Sequence, residues 1–99
     1  MFNWNAANRK HVAKHGVEPS EAEEAITNWP IDIEMQLRNG EERTLQIGET
    51  NNCRVLVVVT AWRGKLIRVV TAYPAPTKVR KFYAAQKAKN DEKREIKDP

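Results

Sequence analysis

The sequence predicts an α+β domain: two N-terminal helices, an antiparallel meander of about four strands, and a C-terminal helix. Three observations carry that prediction. Apolar residues recur at helical spacing as far as Trp29, the pattern changes to period two from Ile31, and Pro74 and Pro76 end the alternation before a last helical stretch. The length of 99 residues suffices for one core and makes a single domain. Residues 1–89 are read as that domain, and the charged stretch 90–99, which lacks apolar periodicity, as a disordered tail.

The first helix is expected from Asn5, a good N-cap, to His15, with Gly16 as the residue that leaves it in the left-handed conformation. Ala7, His11, Val12 and His15 share its expected buried face. The second helix is expected over Pro19–Asn28. Proline suits its first turn, Ser20 and Glu23 have capping-box spacing, and Ala22, Ala25, Ile26 and Trp29 form its apolar stripe. Strands follow at Ile31–Leu37, Glu42–Gly48, Arg54–Ala61 and Lys65–Tyr73, the first two joined by the hairpin signal Asn39-Gly40. Arg43, Leu45 and Ile47 alternate onto one face of the second strand. The third strand, rich in β-branched residues, is expected at the centre. Thr77 caps a last helix over Lys78–Lys89. Such a meander can be covered by helices on one face and open on the other.

Composition excludes several classes of function. The one cysteine, Cys53, cannot form an internal disulfide, and a lone thiol with no export signal fits the cytoplasm. The longest apolar run, Val55–Val59, is far shorter than the ~20 residues that cross a bilayer. One cysteine, two histidines on one helix and scattered carboxylates make no recognised metal pattern, so no metal or other cofactor is expected. Charge is more informative. The net charge of +4 divides into −4 for residues 1–49 and +8 for residues 50–99, and between Thr50 and Asn90 nine Lys or Arg occur without one carboxylate. These cations are expected to gather on one exposed sheet-and-helix surface and to grip a polyanion, phosphate first. The alternative is that the acids of Glu18–Glu24 fold over them.

Several segments in register resemble the BrnT family of type II toxins, which share the RelE-like ribonuclease fold. They are Phe2-x-Trp4, Lys14-His15-Gly16-Val17, Glu21-Ala22, Glu42-Arg43, Ile47-Gly48, Leu56-Val57-Val58, Gly64, Ile67-Arg68-Val69-Val70-Thr71-Ala72 and Arg80-x-x-Tyr83, spanning residues 2 to 83. The chain departs from the family at Asn5, at His11 and at Tyr73, where relatives carry Asp, Asn and Arg. The resemblance implies an endoribonuclease toxin that cleaves RNA and inhibits translation. It also implies a BrnA-like antitoxin with a ribbon-helix-helix DNA-binding part, which neutralises the toxin and through which alone the pair reaches operator DNA.

RNA can be cut without metal when a base takes the 2′-hydroxyl proton, the oxygen attacks phosphorus, and an acid protonates the departing 5′-oxygen, with cations holding the charge that develops. His15 is the first candidate for acid–base work, since histidine titrates near neutrality and a helix end favours its protonated form. Its bland alternative is a helix-end histidine bonded to a carbonyl. His11, one turn earlier, would make a zinc pair with it only if a third ligand were near. Arg68 interrupts an apolar strand, so it either meets phosphate or pairs with a carboxylate such as Glu42. Glu42 is a candidate base or a solvated surface acid. Tyr73 is a candidate proton donor or base-stacking ring, and Tyr83 the same or a core residue. Lys14, Arg43, Lys78, Arg80 and Lys81 are expected to hold RNA by charge. Two other readings share this scaffold: a non-catalytic RNA-binding or regulatory protein, and an interaction protein whose basic face holds an acidic partner.

Overall fold

The computed structural model describes residues 2–97, with side chains as far as Asn90. It shows the α+β architecture expected: α1 (Ala6–Lys14), α2 (Pro19–Thr27), β1 (Ile31–Arg38), β2 (Glu41–Glu49), β3 (Val55–Arg63), β4 (Leu66–Pro74) and α3 (Thr77–Lys97). The strands form one antiparallel meander in the order β1-β2-β3-β4.

Asn5 caps α1 by a reciprocal pair of bonds: the Asn8 N–H donates to Asn5 Oδ1 (3.0 Å) and the Asn5 N–H to Asn8 Oδ1 (2.7 Å). At the other end, Gly16 has φ +71°, its N–H donates to the Ala13 carbonyl, and the Val17 N–H reaches back to Val12. That is a Schellman closure, sealed by packing of Val17 on Val12 in the core. His15 is thereby held at the C-cap, exposed.

The buried face of α1 differs from the expected one. Asn8 and Val12 point inward, while Ala7, His11 and His15 are exposed. Asn8 can be buried because its side-chain amide donates to the Asn3 carbonyl (2.8 Å) and its oxygen serves the cap, leaving no polar group unpaired. In α2 the cap is Glu18 with Glu21, whose Oε1 accepts the Glu18 N–H at 3.0 Å, rather than Ser20 with Glu23. Ala22 and Ala25 are buried as expected, but Trp29 lies beyond the helix with φ +53° and is largely exposed.

β3 is the buried centre. Leu56 and Val58 face α1 and α2, joined by Val69 and Ala72 of β4 and by Phe2, Trp4 and Ile26. Small residues let α2 lie directly on the sheet: a Cβ at Gly48 would come 1.7 Å from the Ala25 carbonyl oxygen. The Asn39-Gly40 turn has positive φ at both residues, as a two-residue hairpin requires. β4 is not a bare edge, because Phe2 bridges to Ile67 and the Asn3 N–H donates to the Ile67 carbonyl.

The second face is less open than expected. Ile47 and Val57 alternate to the side opposite α2, and α3 folds back there: Val79 and Phe82 line one cavity with Ile47 and Ile33, and Tyr83 is 3% exposed. Apolar residues on both faces of β2 and β3 demand a cover on both sides, which α3 supplies in part. The backbone of α3 also runs on to Lys97, eight residues past the expected Lys89, through a stretch of Lys, Glu and Arg with good helix propensity. Residues 98–99 of the expected tail lie outside the described residues.

Candidate functional site

The candidate residues fall into two groups. The first stands where α1 ends beside β4. His15 and Tyr73 lie 58 positions apart in sequence, yet their ring centroids are 5.9 Å apart in an edge-on arrangement with a 61° interplanar angle. His15 is exposed and Tyr73 half-buried, so one side of the pair faces solvent. Lys14 is exposed beside it. Tyr73 also leads through Pro74–Pro76 into the start of α3, where Lys78, Arg80 and Lys81 are all exposed. Arg80 donates to Thr77 Oγ1 at 3.2 Å within that first turn.

The second group lies toward the other end of β4, roughly 15 Å from Tyr73 at ~3.3 Å per residue. Arg68 Nη2 donates to Glu41 Oε1 at 2.6 Å, Arg43 Nε to the same oxygen at 3.1 Å, and Arg63 stands 3.8 Å from Oε2. Arg68 is 17% exposed at its side chain, and its buried Nε has no partner among the described residues. Three guanidinium groups thus share one carboxylate.

Glu41, not Glu42, is the acid in this cluster. Glu41 is two positions from Arg43 and so shares its face, whereas Glu42 alternates to the opposite face and is exposed. The expected alternation of Arg43, Leu45 and Ile47 already contained that signal, since it assigns position 41 to the same row. Tyr83 packs beneath α3 rather than facing solvent. The structure therefore brings together His15 with Tyr73, and Arg68 with Arg43, but places Glu42 and Tyr83 in neither group.

The nine cations do not form the unmasked surface expected. Arg54 donates to both carboxylate oxygens of Glu21 (3.0 and 3.1 Å) and to the Gly16 carbonyl, tying β3 to the α1–α2 turn. Arg63 and Arg68 meet Glu41, and Lys87 meets Glu49 at 2.7 Å. So four of the nine carry acidic partners, drawn mainly from β2 rather than from α2. Lys65, Lys78, Arg80, Lys81 and Lys89 make no ion pair among the described residues.

The comparison with protein families decides what this arrangement belongs to. A family model for the ribonuclease toxin BrnT of type II toxin–antitoxin systems matches residues 4–78. The chain belongs to this family. Membership makes it a type II ribonuclease toxin, with RNA as substrate and an antitoxin as partner. The match includes His15, Arg43, Arg68, Tyr73 and Lys78 and stops short of Arg80, Lys81 and Tyr83. A search of curated proteins found no match. No helix among the described residues is long and apolar enough to cross a membrane.

Two carboxylates contribute to how this BrnT-family fold responds to acid. The hydrogen bond from Arg43 and that from Arg68 hold the Glu41 carboxyl below the ordinary glutamate value of 4.5, and the Glu18 N–H with Arg54 does the same for Glu21. Both are depressed in the folded state, so their contribution is complete above about 4.5 and is lost as pH falls through the lower folded values. The urea midpoint should hold steady from neutral pH to about 5 and then fall. Glu21→Gln should lower the midpoint at pH 7 and make it less dependent on pH below 4.5.

Proposed function

We propose that the chain is a metal-independent endoribonuclease that cuts RNA by attack of the 2′-hydroxyl and so inhibits translation. The proposal extends to neutralisation by a small BrnA-like antitoxin whose ribbon-helix-helix part carries the pair to operator DNA. The observation that supports the reading best is the His15–Tyr73 pair, which offers two proton-carrying side chains side by side, open to solvent and next to exposed lysine. His15 takes the 2′-hydroxyl proton, and Tyr73 donates to the leaving oxygen or holds the adjoining base by stacking. Both chemical roles are then filled by side chains, without a metal-bound water.

Lys14, Lys78, Arg80 and Lys81 steer and hold the phosphates around the cut. Arg68, five residues before Tyr73 on β4, and Arg43 are both engaged by Glu41. Their role in this reading is to bind the strand further along, with Glu41 as the internal anion that RNA displaces. Glu41→Gln should therefore tighten RNA binding and steepen the slope of log affinity against log salt by about 1 per phosphate newly held. Filter binding at several salt concentrations reads this out. An unchanged slope would assign the arginines to folding alone.

Growth of cells expressing the chain tests the reading as a whole. Expression alone should arrest growth with loss of translation, and co-expression of the neighbouring antitoxin gene should restore it. His15→Ala and Arg68→Ala should each relieve the arrest at equal protein level. Arrest unaffected by His15→Ala would reject the assignment.

A further inference from the structure

The face of the sheet that carries α2 has a recess that neither group uses. Where α2 ends, a cleft of about 230 Å³ opens between Ile26 and the far halves of β2 and β3. Its floor is a polar row crossing three strands: Gln46 Nε2 donates to Asp32 Oδ1 at 2.8 Å, and Thr60 Oγ1 donates to Gln46 Oε1 at 3.4 Å, with Thr44 alongside. Its rim is Trp62, 68% exposed. The core needs neither feature. Under a helix end, apolar side chains would bury more surface, and an indole left in water forgoes most of its burial.

A flat aromatic wall beside a hydrogen-bonding floor fits a planar heteroaromatic ring. Stacking on tryptophan accepts any base, so the floor must choose among them. Gln46 uses one lone pair of Asp32 Oδ1, so the second lone pair of Oδ1 and all of Oδ2 stay open among the described residues. A carboxylate accepts two parallel donors. Guanine alone among the four RNA bases presents two adjacent donors, N1–H and the 2-amino group, on its pairing edge. Adenine and cytosine would turn a ring-nitrogen lone pair toward the carboxylate, and uracil has one donor between two carbonyls. Lys65 lies across the Gly64 turn from Trp62, so a cation stands where the strand would leave the pocket. Arg63 alternates to the opposite face, where it approaches Glu41 of the arginine cluster.

We infer that this cleft receives a guanine base of single-stranded RNA, stacked on Trp62 and read by Asp32, with Lys65 on a flanking phosphate. The inference rests on the proposed ribonuclease reading and names a base that its substrate presents. The test is titration of the intact chain with guanosine, inosine and adenosine 5′-monophosphates, followed by NMR on the Trp62 indole N–H, assigned from the Trp62→Phe spectrum. Guanosine monophosphate should bind about tenfold more tightly than either of the others, since both lack the paired donors. Trp62→Ala should weaken it by about tenfold or more and Trp62→Phe should retain it, while Asp32→Asn should abolish the preference for guanine. Equal binding of the three nucleotides, or shifts confined to other residues, would overturn the inference. So would a Trp62→Ala variant that loses the antitoxin but keeps the nucleotide. The titration needs no cleavage, so a chain that cuts RNA yet ignores guanine sinks this inference alone. A chain that binds guanine but leaves RNA intact sinks the catalytic reading instead.

Discussion

His15→Ala should lower the rate of RNA cleavage by about 10²–10⁴-fold, the usual worth of a positioned acid–base group. It should do so while shifting the melting temperature by less than about 4 °C. The two expectations come from one piece of geometry. The Schellman closure depends on the Gly16 and Val17 amides and on the buried Val12–Val17 contact, not on the imidazole. The ring is exposed, and its one aromatic contact among the described residues is Tyr73. Removing it leaves the fold intact and the proton carrier absent. A cleavage assay under single-turnover conditions, with the pH profile taken for wild type and variant, separates this from a structural effect. The variant should lose one limb of the profile. Tyr73→Phe keeps the edge-on contact and removes only the hydroxyl, so a loss there points to proton donation and unchanged cleavage points to stacking.

Gly48→Ala should be the most damaging of the four Gly→Ala changes. The added Cβ would sit 1.7 Å from the Ala25 carbonyl oxygen and 2.5 Å from its carbon, and both are backbone atoms that no side-chain rotation can move. α2 must then lift from β2. That separates Ala22 and Ala25 from the core they share with Leu56 and Val58. Overpacking of this kind costs about 1–3 kcal/mol and more where backbone must shift, so a loss of about 3 kcal/mol or more is expected. Urea denaturation followed by circular dichroism measures it. By contrast Gly40→Ala meets nothing within 4 Å and suffers only from its φ of +77°.

Much of the fold could be read from the residues because its signals are local. Asn5, Gly16, Pro19 and Asn39-Gly40 each act within one turn of chain, and each stands where its chemistry predicts. What escaped depends on contacts between distant positions. Asn8 is polar and reads as exposed, until Asn3 and Asn5 are seen to satisfy it. Val79, Phe82 and Tyr83 stand at helical spacing and so mark an apolar face of α3, but which sheet face that helix covers is set by the tertiary fold.

The site was legible in a similar measure. His15 as a helix-end residue and Arg68 as a charge among apolar neighbours both announce themselves locally. That His15 meets Tyr73, and that Arg68 meets Glu41 across 27 positions, are tertiary facts. The choice between Glu41 and Glu42 was within reach, because strand alternation assigns the former to the arginine face. The run of nine cations misled for a physical reason. A sequence stretch of one sign says nothing of carboxylates brought across the sheet, and β2 supplies two of them, Glu41 and Glu49.

The chemical ends left on cut RNA report most directly on a histidine and a tyrosine doing the work of acid and base. Purified chain, with EDTA present, should leave 2′,3′-cyclic phosphate and 5′-hydroxyl ends, and a 2′-deoxy sugar at the scissile position should stop the cut. Products ending in 3′-hydroxyl and 5′-phosphate, or cleavage abolished by EDTA, would contradict it, because water delivered by a metal would then be the nucleophile.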